Sequence, residues 1–365
     1  MKKLMLIIIM IFAFTANAFA VSYTVCEGTT GRVVAKNDAD KQVNAGVISK
    51  LMTALLTAQK IENGELSVDK LITVNSAVTG TKGSVVWLTA GERITIHELL
   101  KGLLTGNAND CAVALACEIG KSKDAFLEMM NSKASQMGMK NTHFNDVIND
   151  CTTTARDMVI LANEVSKHEI LREYMITYMD YIRNGETMLV NNNKLVRNYK
   201  GITGLIAGAT EKSGWCIAAS ATREDKSYTC VIIGEEDEDA TFIDAKELLN
   251  MGFSTFSLYT PQIDESLLCP IDVKKGVERK VNIKVNGTET VVIKNGEEDL
   301  IDYEITTEPF LTAPVSENQR VGSLIIKKND SVIANCDIVT TENIEKMTVW
   351  KYFISFMRSF FILNF

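Results

Sequence analysis

Apolar residues recur with helical and then strand spacing over the first two thirds of the chain, and with strand spacing alone over much of the rest. Residues 47–60 carry a helical period. Residues 97–119 predict a second helix, with Leu99, Leu100, Leu103, Leu104, Val113 and Leu115 on its apolar faces. Thr95 and Glu98 form a Thr-x-x-Glu capping box ahead of it. Residues 125–137 predict a third helix, and residues 154–165 a fourth, opened by Thr152, Thr153 and Thr154. Two strand-like runs follow, 215–222 and 228–233, joined by a charged turn at 223–226, the pattern of a hairpin. Residues 240–251 close this region as a helix. After Pro261 the segments shorten: 279–285, 288–293, 301–306, 321–327 and 331–339 read as strands. Asn286-Gly287 and Asn295-Gly296 lie between such runs and predict hairpins. The pattern therefore predicts an α/β (α+β) domain over residues 21–258, then a small all-β domain over 262–340.

Both ends differ from this body. Lys2 and Lys3 precede an apolar run at 4–14, and Ala18-Phe19-Ala20 is a small-x-small cleavage pattern. That predicts a secretory signal over 1–20 and a mature start near Val21. At the other end, Lys351, Ser355, Arg358 and Ser359 share one narrow helical face, while Trp350, Phe353, Phe356, Met357, Phe360 and Phe361 occupy the rest. An amphipathic helix over 341–365 is predicted, with residues 349–365 lying in the membrane interface. The expected location is the outer face of the cytoplasmic membrane.

Composition narrows the function. Hydrophobic content of 46% fits large cores rather than disorder. A net charge of −8 excludes the basic stripe that nucleic-acid binding needs. Eight cysteines in an exported chain invite disulfides. Their spacing argues otherwise, since Cys111 and Cys117 share one helical pattern and Cys216 and Cys230 lie in strand-like runs. No Cys-x-x-Cys occurs and only three His exist, so no metal or other cofactor is expected, and buried free thiols are.

Four segments carry a resemblance. Ala45-Gly-Val-Ile-Ser-Lys-Leu-Met-Thr-Ala-Leu55 parallels Ala-Ser-x-Thr-Lys-Leu-Met-Thr-Ala-Leu. Thr105-Gly-Asn-Ala-Asn-Asp-Cys-Ala112 parallels Ser-Gly-Asn-Asp-Ala-Ala. The others are Gly138-Met-Lys-Asn-Thr-His-Phe144 and the window from Tyr199-Lys-Gly201 to Ser213-Gly-Trp-Cys216. Residues 242–253 and the β segments extend the match to nearly the whole chain. Together they resemble the low-molecular-weight penicillin-binding proteins, serine-type D-alanyl-D-alanine carboxypeptidases with a β-lactamase-like transpeptidase fold. The resemblance implies an antiparallel sheet with a helical subdomain, a second β domain, and peptidoglycan as the substrate.

It also implies acyl transfer: a Ser hydroxyl attacks the D-Ala-D-Ala carbonyl, D-alanine leaves, and water resolves the acyl-enzyme. In Ser-x-x-Lys the Lys lies one helical turn from the Ser and takes its proton. Here Lys50 is present, but three residues earlier stands Val47. Ser49 is two residues from Val47, about 200° around a helix, and matches the family's Thr. Ser-x-Asn reads Asn107-Ala108-Asn109, keeping the amide of Asn109 and losing the hydroxyl. Lys-Thr-Gly, counted back from Gly214-Trp215-Cys216, falls on Ile206-Ala207-Gly208; the carboxylate-binding Lys is gone and Gly208 still permits close backbone approach. Ser67-Val-Asp-Lys70, Lys212-Ser-Gly214 and Thr105-Gly-Asn107 mimic the three motifs at positions the flanking match does not favour. The loop after His143-Phe144 is short and lacks the family's Gly and second His.

The expectation is a carboxypeptidase homologue without catalysis, acting at the cell wall by binding or scaffolding, with peptidoglycan or a wall protein as partner. The rival is an active D-Ala-D-Ala carboxypeptidase with another nucleophile. A third reading is a structural protein with a filled cleft, which contact between Val47 and Ile206 would favour.

Overall fold

The computed structural model describes residues 21–261, 267–287, 290–353 and 357. The signal expected at 1–20, and the expected membrane helix apart from residues 341–353 and 357, lie outside the described residues. The chain divides into two compact units, one ending at Phe253 and the other beginning at Ser254.

The first unit opens with strands β1 (Ser22–Glu27), β2 (Val33–Asn37) and β3 (Val43–Asn44). Helix α1 (Lys50–Glu62) follows a single 3-10 turn, Gly46–Ser49. Strands β4 (Leu71–Thr73) and β5 (Arg93–Thr95) lead into helices α2 (Ile96–Leu100), α3 (Asn109–Gly120) and α4 (Lys123–Gln136). The pair β6 (His143–Phe144) and β7 (Cys151–Thr153) precedes α5 (Ala155–Lys167) and α6 (Glu169–Ile176). The hairpin β8 (Met179–Ile182) and β9 (Thr187–Val190), with α7 (Leu195–Asn198), leads to the long strands β10 (Ile202–Thr210), β11 (Gly214–Arg223) and β12 (Lys226–Glu235). Helix α8 (Glu238–Thr255) follows.

Strands β10-β11-β12-β1-β2 form one antiparallel sheet in that order. Successive residues of a strand point to opposite faces, and β12 separates two helices this way. The Thr229 hydroxyl donates to Asn163 Oδ1 on α5, whereas Cys230 Sγ approaches the Ala245 carbonyl on α8. The adjacent Tyr228 ring lies where a Cβ on Gly252 of α8 would collide at 2.8 Å. Helix α1 is buried at every residue from Lys50 to Ala58, which is why its sequence is apolar nearly all round.

The helix caps follow from sequence. Thr95 accepts from the Glu98 amide while Glu98 reaches back to the Thr95 amide, closing the expected box. Ser122 and Thr154 cap α4 and α5 by accepting from Ala125 and Asp157. The single helix expected over 97–119 breaks at its middle. After α2 the backbone widens into a π turn over Lys101–Thr105, and Asn107 takes a left-handed φ of 53°. Asn tolerates that conformation better than most residues, and the Ala108 amide is satisfied at 2.8 Å by the Gly102 carbonyl. Periodicity continues across the break, so the pattern alone did not reveal it.

From Phe256 to Thr340 the second unit is built of strands, with a 3-10 turn at Glu298–Leu300, and a helix follows at 349–353. Its strands are β13 (Phe256–Tyr259), β14 (Ile271–Lys274), β15 (Lys280–Val281), β16 (Ile283–Val285), β17 (Val291–Lys294), β18 (Ile301–Thr307), β19 (Leu311–Thr312), β20 (Arg320–Lys328) and β21 (Ser331–Thr340). They pair as β13-β17, β15-β14-β19 and β16-β21-β20-β18, around a core that includes Val281, Leu324, Ile326 and Ile338. The two Asn-Gly turns are present, with Gly287 and Gly296 at φ 77° and 80°, but neither closes a hairpin. β16 pairs with β21 and β17 with β13, so the chain changes sheets at 286–287, and it changes again before β18. A turn signal fixes the local reversal; it does not choose the partner strand.

Candidate functional site

Three stretches of the first unit meet at one point. The turn Gly46–Ser49 carries Val47, the break between α2 and α3 carries Asn107 and Asn109, and the middle of β10 carries Ile206, Ala207 and Gly208. A Cβ placed on Gly208 would lie 3.0 Å from Asn107 Nδ2 and 3.2 Å from Val47 Cγ1. A side chain there would press on both, so glycine lets the valine and the asparagine approach the strand this closely. The site is closed to solvent: Val47, Lys50, Asn107, Asn109 and Ile206 keep 3%, 1%, 4%, 2% and 1% of their exposure. Ile206 and Gly208 are two residues apart on one strand and share a face, so Ile206 lies one pleat along from the point where Val47 meets the strand.

Lys50 is the hub. Its ammonium donates to the Asn107 carbonyl at 2.9 Å and to Asn109 Oδ1 at 2.7 Å. Asn109 Nδ2 in turn donates to the Lys82 carbonyl at 2.7 Å, and Ser84 O accepts from the Asn109 amide at 2.7 Å. Burial pushes the Lys50 ammonium down to about 7, although the nearby negative charges oppose it. Asn107 is less well served. Its Nδ2 reaches Ala207 O only at 3.5 Å, and its Oδ1 is buried without a partner among the described residues.

The surrounding loops are pinned. Asp110 accepts from the Val86 and Leu88 amides and holds residues 84–88 beside α3. Ser49 Oγ lies 2.8 Å from the Gly46 carbonyl and 2.6 Å from the Ile148 carbonyl, so the hydroxyl points at the loop 145–150. Thr105 Oγ1 donates to Tyr174 O, away from the site.

This triangle of a turn before a helix, an interhelical break and an edge strand can be compared with known proteins. Residues 13–237 match the family model described as D-alanyl-D-alanine carboxypeptidase, and residues 256–346 match the C-terminal domain of penicillin-binding protein 5. The chain belongs to the D-alanyl-D-alanine carboxypeptidase family. The carboxypeptidase DacF of Bacillus subtilis is 27% identical over 98% of this chain and 97% of its own length. DacC of Escherichia coli is 27% identical over 92% and 90%. In three dimensions the chain is similar to penicillin-binding protein 5 of Haemophilus influenzae, with a TM-score of 0.79, 20% identity, and coverage of 89% of this chain and 97% of that one. The fold is therefore the penicillin-binding transpeptidase fold with the family's all-β C-terminal domain.

Within that family frame the motif mimics lie elsewhere or serve other bonds. Ser67 accepts from the Asp69 amide in a turn, and Lys70 pairs with Glu118 at 2.6 Å. Lys212 is exposed on the turn between β10 and β11 and pairs with Asp150 at 2.5 Å. Ser213 is buried, and its hydroxyl is paired with Thr210 Oγ1 at 2.7 Å. Two features were missed by sequence reasoning: the Lys50 contact to the Asn107 backbone, and the Asp150–Lys212 pair. The first uses a main-chain carbonyl and leaves no sequence signal. The second joins residues 62 apart whose charges look like ordinary loop polarity. All eight cysteines are free thiols, and burial pushes Cys26 and Cys230 up to about 12.

Proposed function

We propose that this carboxypeptidase homologue does not catalyse acyl transfer and acts at the cell wall by binding or scaffolding. The observation that carries the proposal is Val47. It occupies the position three residues before Lys50, buried against Gly208, where the reaction needs a hydroxyl. Lys50 has no proton to take from Val47, and its amine instead donates to Asn107 O and Asn109 Oδ1. Neither Ser49 nor Ser213 substitutes: one points at Ile148 and the other at Thr210. Ile206 at the carboxylate-binding position removes the charge that would draw a peptide terminus.

The roles assigned to Lys50, Asn109 and Gly208 are vestigial: they hold the site's shape. The carboxypeptidase-like domain expected over 21–258 corresponds to the unit that ends at Phe253, and the β domain expected over 262–340 lies in the unit that begins at Ser254, since β13 pairs with β17. Export through the signal at 1–20, and attachment through 349–365, complete the proposal. The described part of that last helix supports it, since Trp350 and Tyr352 are 70% and 65% exposed. No helix among the described residues is long and apolar enough to cross a membrane. The family's activity makes peptidoglycan the first partner to test. Incubating the purified protein with a peptide ending in D-Ala-D-Ala tests the reading: no D-alanine is expected, and release at a rate above a buffer blank would end it.

A further inference from the structure

The second unit leaves one long sheet edge open. In β16-β21-β20-β18 the outer strands are β16, of three residues, and β18, of seven. β18 pairs with β20 from Ile301↔Lys328 to Thr307↔Gly322 with no shift of register. The next residue, Glu308, donates its amide to the Val321 carbonyl at 2.8 Å and continues that register. Hydrogen-bonded pairs alternate along an antiparallel ladder, so Asp302, Glu304 and Thr306 direct their backbone groups to β20. Tyr303, Ile305 and Thr307 turn theirs the other way, where no strand among the described residues meets them. Such edges are commonly guarded by Lys, Pro, a bulge or a very short strand; β18 has none of these.

The edge is acidic instead. Residues 297–308 hold Glu297, Glu298, Asp299, Asp302, Glu304 and Glu308 and no Lys or Arg. Lys327 pairs with Glu304 and Lys328 with Glu297. The other four acids are exposed and have no ion pair among the described residues. Asp302 and Glu304 stand on the outer face of the strand, whereas Ile301 and Ile305 turn to the core. Two copies of β18 side by side would gather these acids on one face, and like charges in that setting destabilise the pair. The edge therefore disfavours its own kind and suits a basic strand. We propose that β18 takes up an extended basic segment of another protein as an added strand. Backbone bonds to Tyr303, Ile305 and Thr307 make the pairing. Lys or Arg at every second position meets Asp302 and Glu304, and the residues between them pack beside Tyr303 and Ile305. The inference goes beyond the loss of catalysis: it lies wholly in the second unit and does not depend on the chemistry at Val47.

The probe is a synthetic peptide, acetyl-Lys-Val-Lys-Val-Lys-Val-Lys-amide, added to the whole isotope-labelled protein, with amide exchange followed by NMR. In the free protein the amides of Tyr303, Ile305 and Thr307 should exchange faster than those of Glu304 and Thr306. Peptide at about ten times its Kd should slow those three by about tenfold. The same peptide N-methylated at every valine keeps its charge but loses the backbone donors that face β18, and should bind about tenfold more weakly or worse. Asp302→Lys should weaken the unmodified peptide by about three- to tenfold. Equal binding of the N-methylated peptide, or no slowing at the three amides, overturns the added strand. Slow exchange there in the free protein that fades on dilution would mean that a second copy already fills the edge, and overturns the choice of partner. None of these outcomes bears on penicillin acylation, so this inference and the proposed lack of catalysis fail separately.

Discussion

Lys50 gives the sharpest test of the buried site, because its amine is neutral or charged depending on pH in a range where the fold can be studied. A fall from the ordinary 10.5 to about 7 corresponds to about 5 kcal/mol between protonation states. Below about pH 7 the amine is charged in both folded and unfolded chains, and the fold bears that cost in full. Between about 7 and 10.5 the unfolded chain holds a proton that the folded one does not, so stability rises with pH, by at most about 1.4 kcal/mol per unit. Lys50→Met removes the charge but leaves Asn107 O and Asn109 Oδ1 without their donor, costing about 1–3 kcal/mol each. The two effects nearly cancel at pH 6. They separate as pH rises, because only the unaltered protein gains. From pH 6 to 9 the stability of Lys50→Met relative to the unaltered protein should fall by about 2.5 kcal/mol. Urea unfolding read by fluorescence in a Trp350→Phe background confines the signal to Trp87 and Trp215 of the first unit. Burial holds the Cys111 thiol well above its ordinary range, and removing the Lys50 charge beside it only raises it further, so the difference isolates Lys50. A difference constant within about 0.5 kcal/mol across pH 6–9 would refute a buried amine of lowered affinity for protons.

Other expectations follow from the same geometry. Val47→Ser alone should release no D-alanine, since Ile206 and Asn107 remain and parts of one catalytic unit do not act additively; turnover by this single variant would show that the other two positions are dispensable. Val47→Ala should destabilise the first unit by about 1–3 kcal/mol by opening a cavity beside Gly208, measurable in the same urea experiment; no loss would mean that Val47 is not packed. In the native protein a thiol reagent should react readily with the exposed Cys269 and more slowly with Cys117, with all eight reacting after unfolding; fewer than eight would reveal a disulfide. Deleting residues 349–365 should move the exported protein from the membrane pellet to the soluble fraction, and continued sedimentation would place the anchor elsewhere.

Much of this was legible in the sequence because local signals sufficed. Thr95 and Glu98 define a cap by themselves, and the hairpin of β11 and β12 is written in two apolar runs around a charged turn. The motif positions were legible because spacing survives substitution: Val47 is still one helical turn from Lys50, and Gly208 still faces Cys216 across the sheet. What was not legible depends on distant partners. The break at Asn107 is a left-handed residue inside an unbroken apolar period. The Asn-Gly turns reverse the chain, but pairing of β16 with β21 and of β17 with β13 is decided by burial in two sheets. Closure of the site is a property of three segments together. The apolar character of Val47 hints at it, and Val47 meets the strand at Gly208.

The account turns on the absence of an attackable hydroxyl at Val47, and intact-protein mass spectrometry after incubation with benzylpenicillin measures that most directly. A β-lactam ring acylates the nucleophile itself and needs no further step to leave its mass behind. The account predicts the unaltered mass after prolonged incubation at millimolar penicillin, with a functional D-alanyl-D-alanine carboxypeptidase labelled to completion alongside. A stoichiometric adduct on this chain, mapped to any serine, would contradict it.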